Sequence, residues 1–316
     1  MKVCVIKTSS MGDVIHTLPA LTDAQRAIPN LSIDWVVEEN FAEIPRWHSA
    51  VNQIIPIALR RWRKSPFSVQ TKNEWKSYRT LLQANQYDAV IDAQGLFKSA
   101  FFATRLANGV KHGYDRKSIR EPIASLFYDK KYAISYQQHA VERIRQLFAQ
   151  ALSYPLPKEK GDYDIARHFI SADFEPYVIF FHSTTRDEKH WPEHEWRNLI
   201  EKLTALSVQV RLPWGNEKEK ARAERLAVGL SHVVVLPKLS LNELAYQIAN
   251  AKAVVSVDTG LAHLTAALDK PNITLYGATD PTLIGCYGKN QHYLTASSME
   301  NIKSDQVFSM LNLLIK

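Results

Sequence analysis

Apolar and polar positions along this chain alternate between two periods. Short β-branched runs at 3–6, 33–37, 54–59 and 87–92 are separated by stretches whose apolar residues recur at helical spacing, first at Val14, Leu18, Leu21 and Ala24. That alternation predicts strand, loop and helix in succession, and runs apolar on both faces predict a mostly parallel sheet. Further helices are expected near 75–83, over 96–106 and over 137–153, the last through Val141, Ile144, Phe148 and Leu152. Pro155, Pro157, Lys158, Lys160 and Gly161 then break the pattern and read as an interdomain linker. A second series places strands at 177–181, 208–212, 233–236 and 253–257 and a final one at 272–276, with helices at 193–206, 217–230 and 241–251. The expected fold is α/β: two Rossmann-like domains, 1–160 and 161–316, facing across a cleft, with a C-terminal helix able to pack back on the first. In such sheets ligands bind beyond the carboxyl ends of the strands.

Composition narrows the class. With 316 residues and 46% hydrophobic content the chain can bury a large core, and no apolar run approaches the ~18 residues of a membrane span or the core of a signal peptide. A soluble, cytoplasmic protein is expected. Cys4 and Cys286 lie far apart without Cys-x-x-Cys spacing, which suggests neither a disulfide framework nor a zinc site. The net charge of +7, from 39 Lys+Arg against 32 Asp+Glu, points to an anionic partner. Nucleic acid, an acidic membrane surface and a phosphorylated substrate all fit that balance.

Candidate chemistry separates them. Val254-Val-Ser-Val-Asp-Thr-Gly-Leu-Ala-His263 reads as strand, turn and helix, and a helix opening at Thr259 and Gly260 offers unpaired N–H groups to an anion. An ordinary capped helix fits the same residues. The loop Thr8-Ser-Ser-Met-Gly-Asp13 puts an acid at a helix start, and His182-Ser-Thr-Thr-Arg-Asp-Glu-Lys-His-Trp191 offers hydroxyls with Lys189 or Arg186 to meet phosphate. A nicotinamide enzyme would need Gly-x-Gly-x-x-Gly at the first turn, where only Gly12 stands. Asp162-Tyr-Asp164 has the spacing of a cation pair, but its place beside Lys158 and Lys160 favours a surface turn, and no metal is assigned. Trp214-Gly215 with Asn216, Glu217 and Glu219 suits ribose hydroxyls, and Pro237-Lys-Leu-Ser240 offers surface for a base. Four strand ends would then share one nucleotide crevice.

The ordered motifs Lys7-Thr-Ser-Ser-Met-Gly-Asp-Val-Ile-His-Thr-Leu-Pro19, Asp92-Ala-Gln-Gly-Leu96 onward to Lys98, Thr184-Thr-Arg-Asp-Glu-Lys-His-Trp-Pro192, Ser256-Val-Asp-Thr-Gly-Leu-Ala-His263, Tyr276-Gly277 and Thr279-Asp-Pro281 resemble the bacterial lipopolysaccharide heptosyltransferases. The Arg60-Arg-Trp-Arg-Lys64 run narrows the resemblance to the type I branch, and Ala278 stands where that pattern has proline. The resemblance implies a glycosyltransferase B fold, an ADP-heptose donor in the second domain and a Kdo-lipid A acceptor held mainly by the first. It implies Asp13 as general base, and Lys189 with Thr184, Thr185, Asp258, Thr259, Gly260 and His263 at the diphosphate. Glu219 is expected at the ribose and Leu239 near the adenine. Arg60, Arg61, Arg63, Lys64, Arg120, His139 and Arg143 would read acceptor carboxylates and phosphates, with Trp62 dipping into a lipid interface. No cofactor and no nucleic acid are implied, and the protein is expected to be peripheral on the cytoplasmic face of the inner membrane. The rivals are an epimerase or other nucleotide-sugar enzyme of the same fold, and a non-catalytic binder of anionic glycolipid.

Overall fold

The chain enters on β1 (Lys2–Ile6), whose last four residues are buried on both faces. A strand with no solvent side must sit in the middle of a sheet. The computed structural model, which describes residues 1–169 and 175–316, places it there and divides the chain into units Met1–Asp164 and Ile165–Lys316.

Unit 1 adds β2 (Ser32–Glu38), β3 (Val51–Ile57), β4 (Gln86–Asp92), β5 (Asn108–Tyr114) and β6 (Lys130–Tyr132) in the order β3-β2-β1-β4-β5-β6, every pair parallel. Connections reverse direction between β1 and β4, so the loops after these two strands splay apart at the carboxyl edge and leave a crevice. Helices Leu18–Ala27 and Ala140–Leu152 pack on each other, and Arg145, 2% exposed, joins them by meeting Asp23 at 2.6 Å and Glu142 at 2.9 Å. Its Nη2 also donates to Glu159 O at 2.9 Å, which fastens part of the expected interdomain linker to unit 1. Asp162 of the candidate cation pair meets Arg26 at 2.6 Å.

Unit 2 repeats the plan with β7 (Tyr177–Phe181), β8 (Gln209–Leu212), β9 (Val233–Val235), β10 (Ala253–Val257), β11 (Asn272–Tyr276) and β12 (Gln291–Thr295), in the order β12-β11-β10-β7-β8-β9 and again parallel. The crevice here falls between β7 and β10. The C-terminal helix Ser304–Leu314 belongs to this unit: Val307 and Leu311 are fully buried in its core, and the helix packs on Glu193–Leu203. That is where its apolar face goes.

Each unit is thus a Rossmann-like α/β layer structure, as the pattern predicts. Three strands carry no clear apolar run: β5 holds two glycines, β6 is three residues with two lysines, and β12 lies at a sheet edge as Gln-His-Tyr-Leu-Thr beyond the strand expected to be last. The predicted helix over 96–106 ends at Phe102 and continues as a single 3₁₀ turn, Thr104–Leu106. Among the described residues no helix is long and apolar enough to cross a membrane.

Candidate active site

In unit 2 the expected residues gather at strand ends. Beyond β7, β8 and β9 lies a cavity of about 250 Å³ bordered by His182, Ser183, Trp214, Glu219, Leu239 and Leu261. Its walls are set by local bonding. Trp214 Nε1 donates to Leu236 O at 2.7 Å, and Lys220 lies 5.4 Å over the indole ring. Asn216 caps the helix Glu217–Ala227 by accepting from Glu219 N at 3.0 Å. The Glu219 carboxylate in return takes Gly215 N and Asn216 Nδ2, each at 2.7 Å. A carboxylate held by two donors keeps lone pairs for a hydroxyl from a ligand.

At one rim the cavity continues, through Ser183 and Leu261, to the start of the helix Gly260–Ala267. Thr259 is its N-cap in extended conformation, and its own side chain makes no capping hydrogen bond. First-turn N–H groups of that kind attract anions. His263, buried, lies one turn in. Asp258, just before the helix, receives the Lys189 ammonium, one of the cations expected to meet phosphate. Thr184 Oγ1 donates to Asp258 O at 3.1 Å, which pins the β7 loop to the β10 turn. Thr185 is exposed, and Arg186 faces Glu188 at 3.7 Å on the surface.

Sequence reasoning gave no role to His182, which is 1% exposed with Nδ1 at 2.9 Å from Ser183 Oγ. Burial, aided by the charge on Arg222, pulls its imidazole down to about 3, so a neutral ring lines the cavity at physiological pH. Only its place at the end of an apolar run hinted at this.

In unit 1 the loop after β1 presents Asp13. The carboxylate accepts from Ser10 N at 2.9 Å and Ser10 Oγ at 3.1 Å, and Oδ1 lies 3.7 Å from Lys7 Nζ. The loop after β4 clamps this turn. Gln94 Oε1 takes Thr8 N at 2.9 Å and Ser9 N at 3.1 Å, and Ala93 O takes Lys7 Nζ at 2.9 Å. Behind it Asp92, fully buried, accepts from Gln94 N, Gly95 N, Ser99 Oγ, Thr104 Oγ1 and Tyr128 OH at 2.8–3.1 Å. Burial pushes this carboxyl up and the donors push it back. Gln94 and Lys7 stand in motifs that the sequence singles out, yet their bonding partners lie 86 residues away along the chain.

The basic residues divide. Arg60, Arg63 and Lys64 border a cavity of about 700 Å³, together with Lys98 from the Asp92 motif and Lys72, which no sequence motif marks. Its apolar walls are Leu59, Trp62, Trp75, Leu96 and Phe102, and Thr8, Ser9 and Gln94 close the end beside the Asp13 turn. Two expectations need correction. The basic stretch opens as a helical turn, Leu59–Trp62, which turns Trp62 inward rather than toward a lipid interface: it is 7% exposed and edge-on to Trp75 at 5.8 Å. Arg61 does not border the cavity and pairs with Glu39 at 2.9 Å and Glu74 at 2.8 Å. His139, Arg143 and Arg120 do not border this cavity. His139 caps Ala140–Leu152 by accepting from Val141 N at 3.2 Å, and its ring meets His16, three residues beyond Asp13, at 5.3 Å. Arg143 donates to Ser118 O at 2.7 Å and lies 4.2 Å from the Tyr136 ring. Arg120 is exposed.

Comparison with known proteins converges on one group. The family model for glycosyltransferase family 9 (heptosyltransferase) matches residues 75–312. Lipopolysaccharide heptosyltransferase 1 of Salmonella typhimurium is 58% identical over 317 residues, covering 99% of this chain and 100% of the relative. Among solved structures, E. coli heptosyltransferase WaaC with ADP superposes with a TM-score of 0.97 at 57% identity, covering 99% of this chain and 100% of the other. The same enzyme with ADP-2-deoxy-2-fluoro heptose gives 0.95 at 56% identity, covering 99% of each chain.

Proposed function

This chain belongs to glycosyltransferase family 9, the heptosyltransferases, and from that premise we propose that it transfers heptose from ADP-heptose to the Kdo of Kdo-lipid A in lipopolysaccharide core synthesis. The observation that carries this reading is the gathering of Glu219 and Leu239 around one unit 2 cavity that opens toward Lys189, Asp258 and the Gly260–Ala267 helix start. A base and ribose fit the cavity, and a diphosphate fits the helix start.

The reaction then runs as a single displacement with inversion. Asp13 takes the proton of the attacking acceptor hydroxyl, its oxygen bonds to the anomeric carbon of heptose, and the bond from that carbon to the phosphate oxygen breaks with its electron pair leaving on ADP. Charge gathers on the departing diphosphate, where Lys189 and the Thr259 and Gly260 amides meet it without a metal. Arg60, Arg63, Lys64, Arg120, His139 and Arg143 take the carboxylates and phosphates of the acceptor. Arg61 carries its charge to Glu39 and Glu74 and supports the Leu59–Trp62 turn instead. The lipid-borne acceptor brings the protein to the cytoplasmic face of the inner membrane as a peripheral visitor.

An epimerase of the same fold has no use for a five-cation cavity in unit 1, and a glycolipid binder has no use for the nucleotide crevice in unit 2. ADP release from ADP-heptose, followed with and without Kdo-lipid A, separates them. Release that depends on acceptor supports transfer, and release without it contradicts transfer.

A further inference from the structure

With Trp62 turned inward, the question is what meets the lipid. Immediately beyond the basic turn, Phe67 is 85% exposed and Val69 74% exposed. Scattered apolar side chains on a surface need no explanation. These two stand at the tip of one helix, within a run of cations. The helix Val69–Gln83 buries Tyr78 and Leu82 and turns Trp75 toward Trp62 and Phe102. An exposed stripe beside Trp75 carries Val69, Lys72, Lys76 and Arg79 at steps of three and four residues. Among the described residues none of these three cations is in an ion pair. Glu74 lies off this face, bonded to Arg61, Trp62 and Gln70. Arg63 and Lys64 extend the positive surface toward the tip.

We propose that Phe67, Val69 and the Lys72, Lys76 and Arg79 face form the surface by which this protein settles on an anionic lipid bilayer, a proposal that rests on the reading of a lipid-borne acceptor. A basic face with an apolar tip is the arrangement that lies in a membrane interface: the tip enters the acyl boundary while the cations remain among headgroups. Each cation near an anionic surface strengthens binding about fivefold at ordinary ionic strength. The placement also serves the reaction. Arg63, Lys64, Pro66 and Lys72 of the same stretch border the unit 1 cavity, so an anionic sugar projecting from the bilayer meets that cavity without the protein leaving the membrane. Charge alone would suit nucleic acid equally, and the exposed apolar tip is what favours a bilayer.

Phe67→Ser, Lys76→Glu and Arg79→Glu, combined in one chain and also made singly, test this. All three positions are exposed and outside both cavities, so folding is kept. Sedimentation with phosphatidylglycerol-containing vesicles should show binding by the unaltered protein, weakened by salt and absent on pure phosphatidylcholine. The combined variant should bind at least about tenfold more weakly. Leu126→Ser, at an apolar position 74% exposed elsewhere in unit 1, should bind normally. Turnover of a soluble, deacylated acceptor should be unchanged in the combined variant, while the KM for vesicle-borne acceptor rises about tenfold. Vesicle binding by the combined variant equal to that of the unaltered protein overturns the proposal, as does tighter binding of this face to a single-stranded RNA oligomer than to vesicles. If the unaltered protein transfers heptose to soluble acceptor but binds no anionic vesicle, membrane contact itself falls and the transferase reading stands.

Discussion

Lys7 Nζ reaches two partners at once, Ala93 O at 2.9 Å and Asp13 Oδ1 at 3.7 Å, from a position 5% exposed. Burial pulls its ammonium down, and Asp13 and Asp92 pull it back; the amine stands beside the proposed base. With Gln94 holding the Thr8 and Ser9 amides, the turn that carries the carboxylate is clamped by the loop after β4. Lys7→Met should therefore lower kcat on the order of tenfold through misplacement of Asp13, with ADP affinity, a property of unit 2, unchanged. Calorimetric titration with ADP beside steady-state rates checks both halves, and an unaltered kcat would remove Lys7 from this role. Lys189 is different because its proposed role is on the donor itself. Lys189→Ala should slow transfer about 10²-fold and weaken ADP-heptose binding as well. Unchanged donor affinity would take Lys189 away from the diphosphate.

At the scale of elements, β7 does two jobs: it buries all five of its residues and delivers His182 to the cavity wall. The folded imidazole lies at about 3 against an ordinary 6.5, depressed mainly by burial. The unfolded chain therefore takes up a proton that the folded chain refuses. Stability from this site is complete above pH 6.5 and is lost as pH falls from 6.5 toward 3, by up to about 1.4 kcal/mol per pH unit. Urea unfolding at pH 7.5 and 5.5 should show that loss, and His182→Gln should make the dependence shallower; an equal slope in both proteins would contradict the assignment. What the sequence revealed follows the same physics of burial. β1, β4, β7 and β10 are legible because both faces are buried and the runs are almost unbroken. β5, β6 and β12 are not, since edge or near-edge strands carry glycine, lysine and polar residues that mask the alternation. Trp62 was misplaced for a related reason: four cations in five residues look like solvent-facing surface, and only the distant Trp75 and Tyr78 draw the indole inward.

For the molecule as a whole, the charge balance of +7 restricted the partner to something anionic and left its chemistry open. The motifs resolved it, because each sits at the carboxyl end of a strand in one of two sheets that share one strand order. What stayed hidden were contacts across long separations, such as Gln94 with the Thr8 turn and Lys189 with Asp258, since no local pattern records which loops a sheet brings side by side. The account assigns nucleotide to unit 2 and acceptor activation to unit 1, with Asp13 alone carrying the proton transfer. Measuring ADP release by Asp13→Asn against the unaltered protein, with ADP-heptose and Kdo-lipid A both present and ADP affinity determined in parallel, tests that division most directly. The account predicts ADP affinity within a few-fold of normal and acceptor-dependent release lowered by at least about 10²-fold. Release that survives within a few-fold would contradict it.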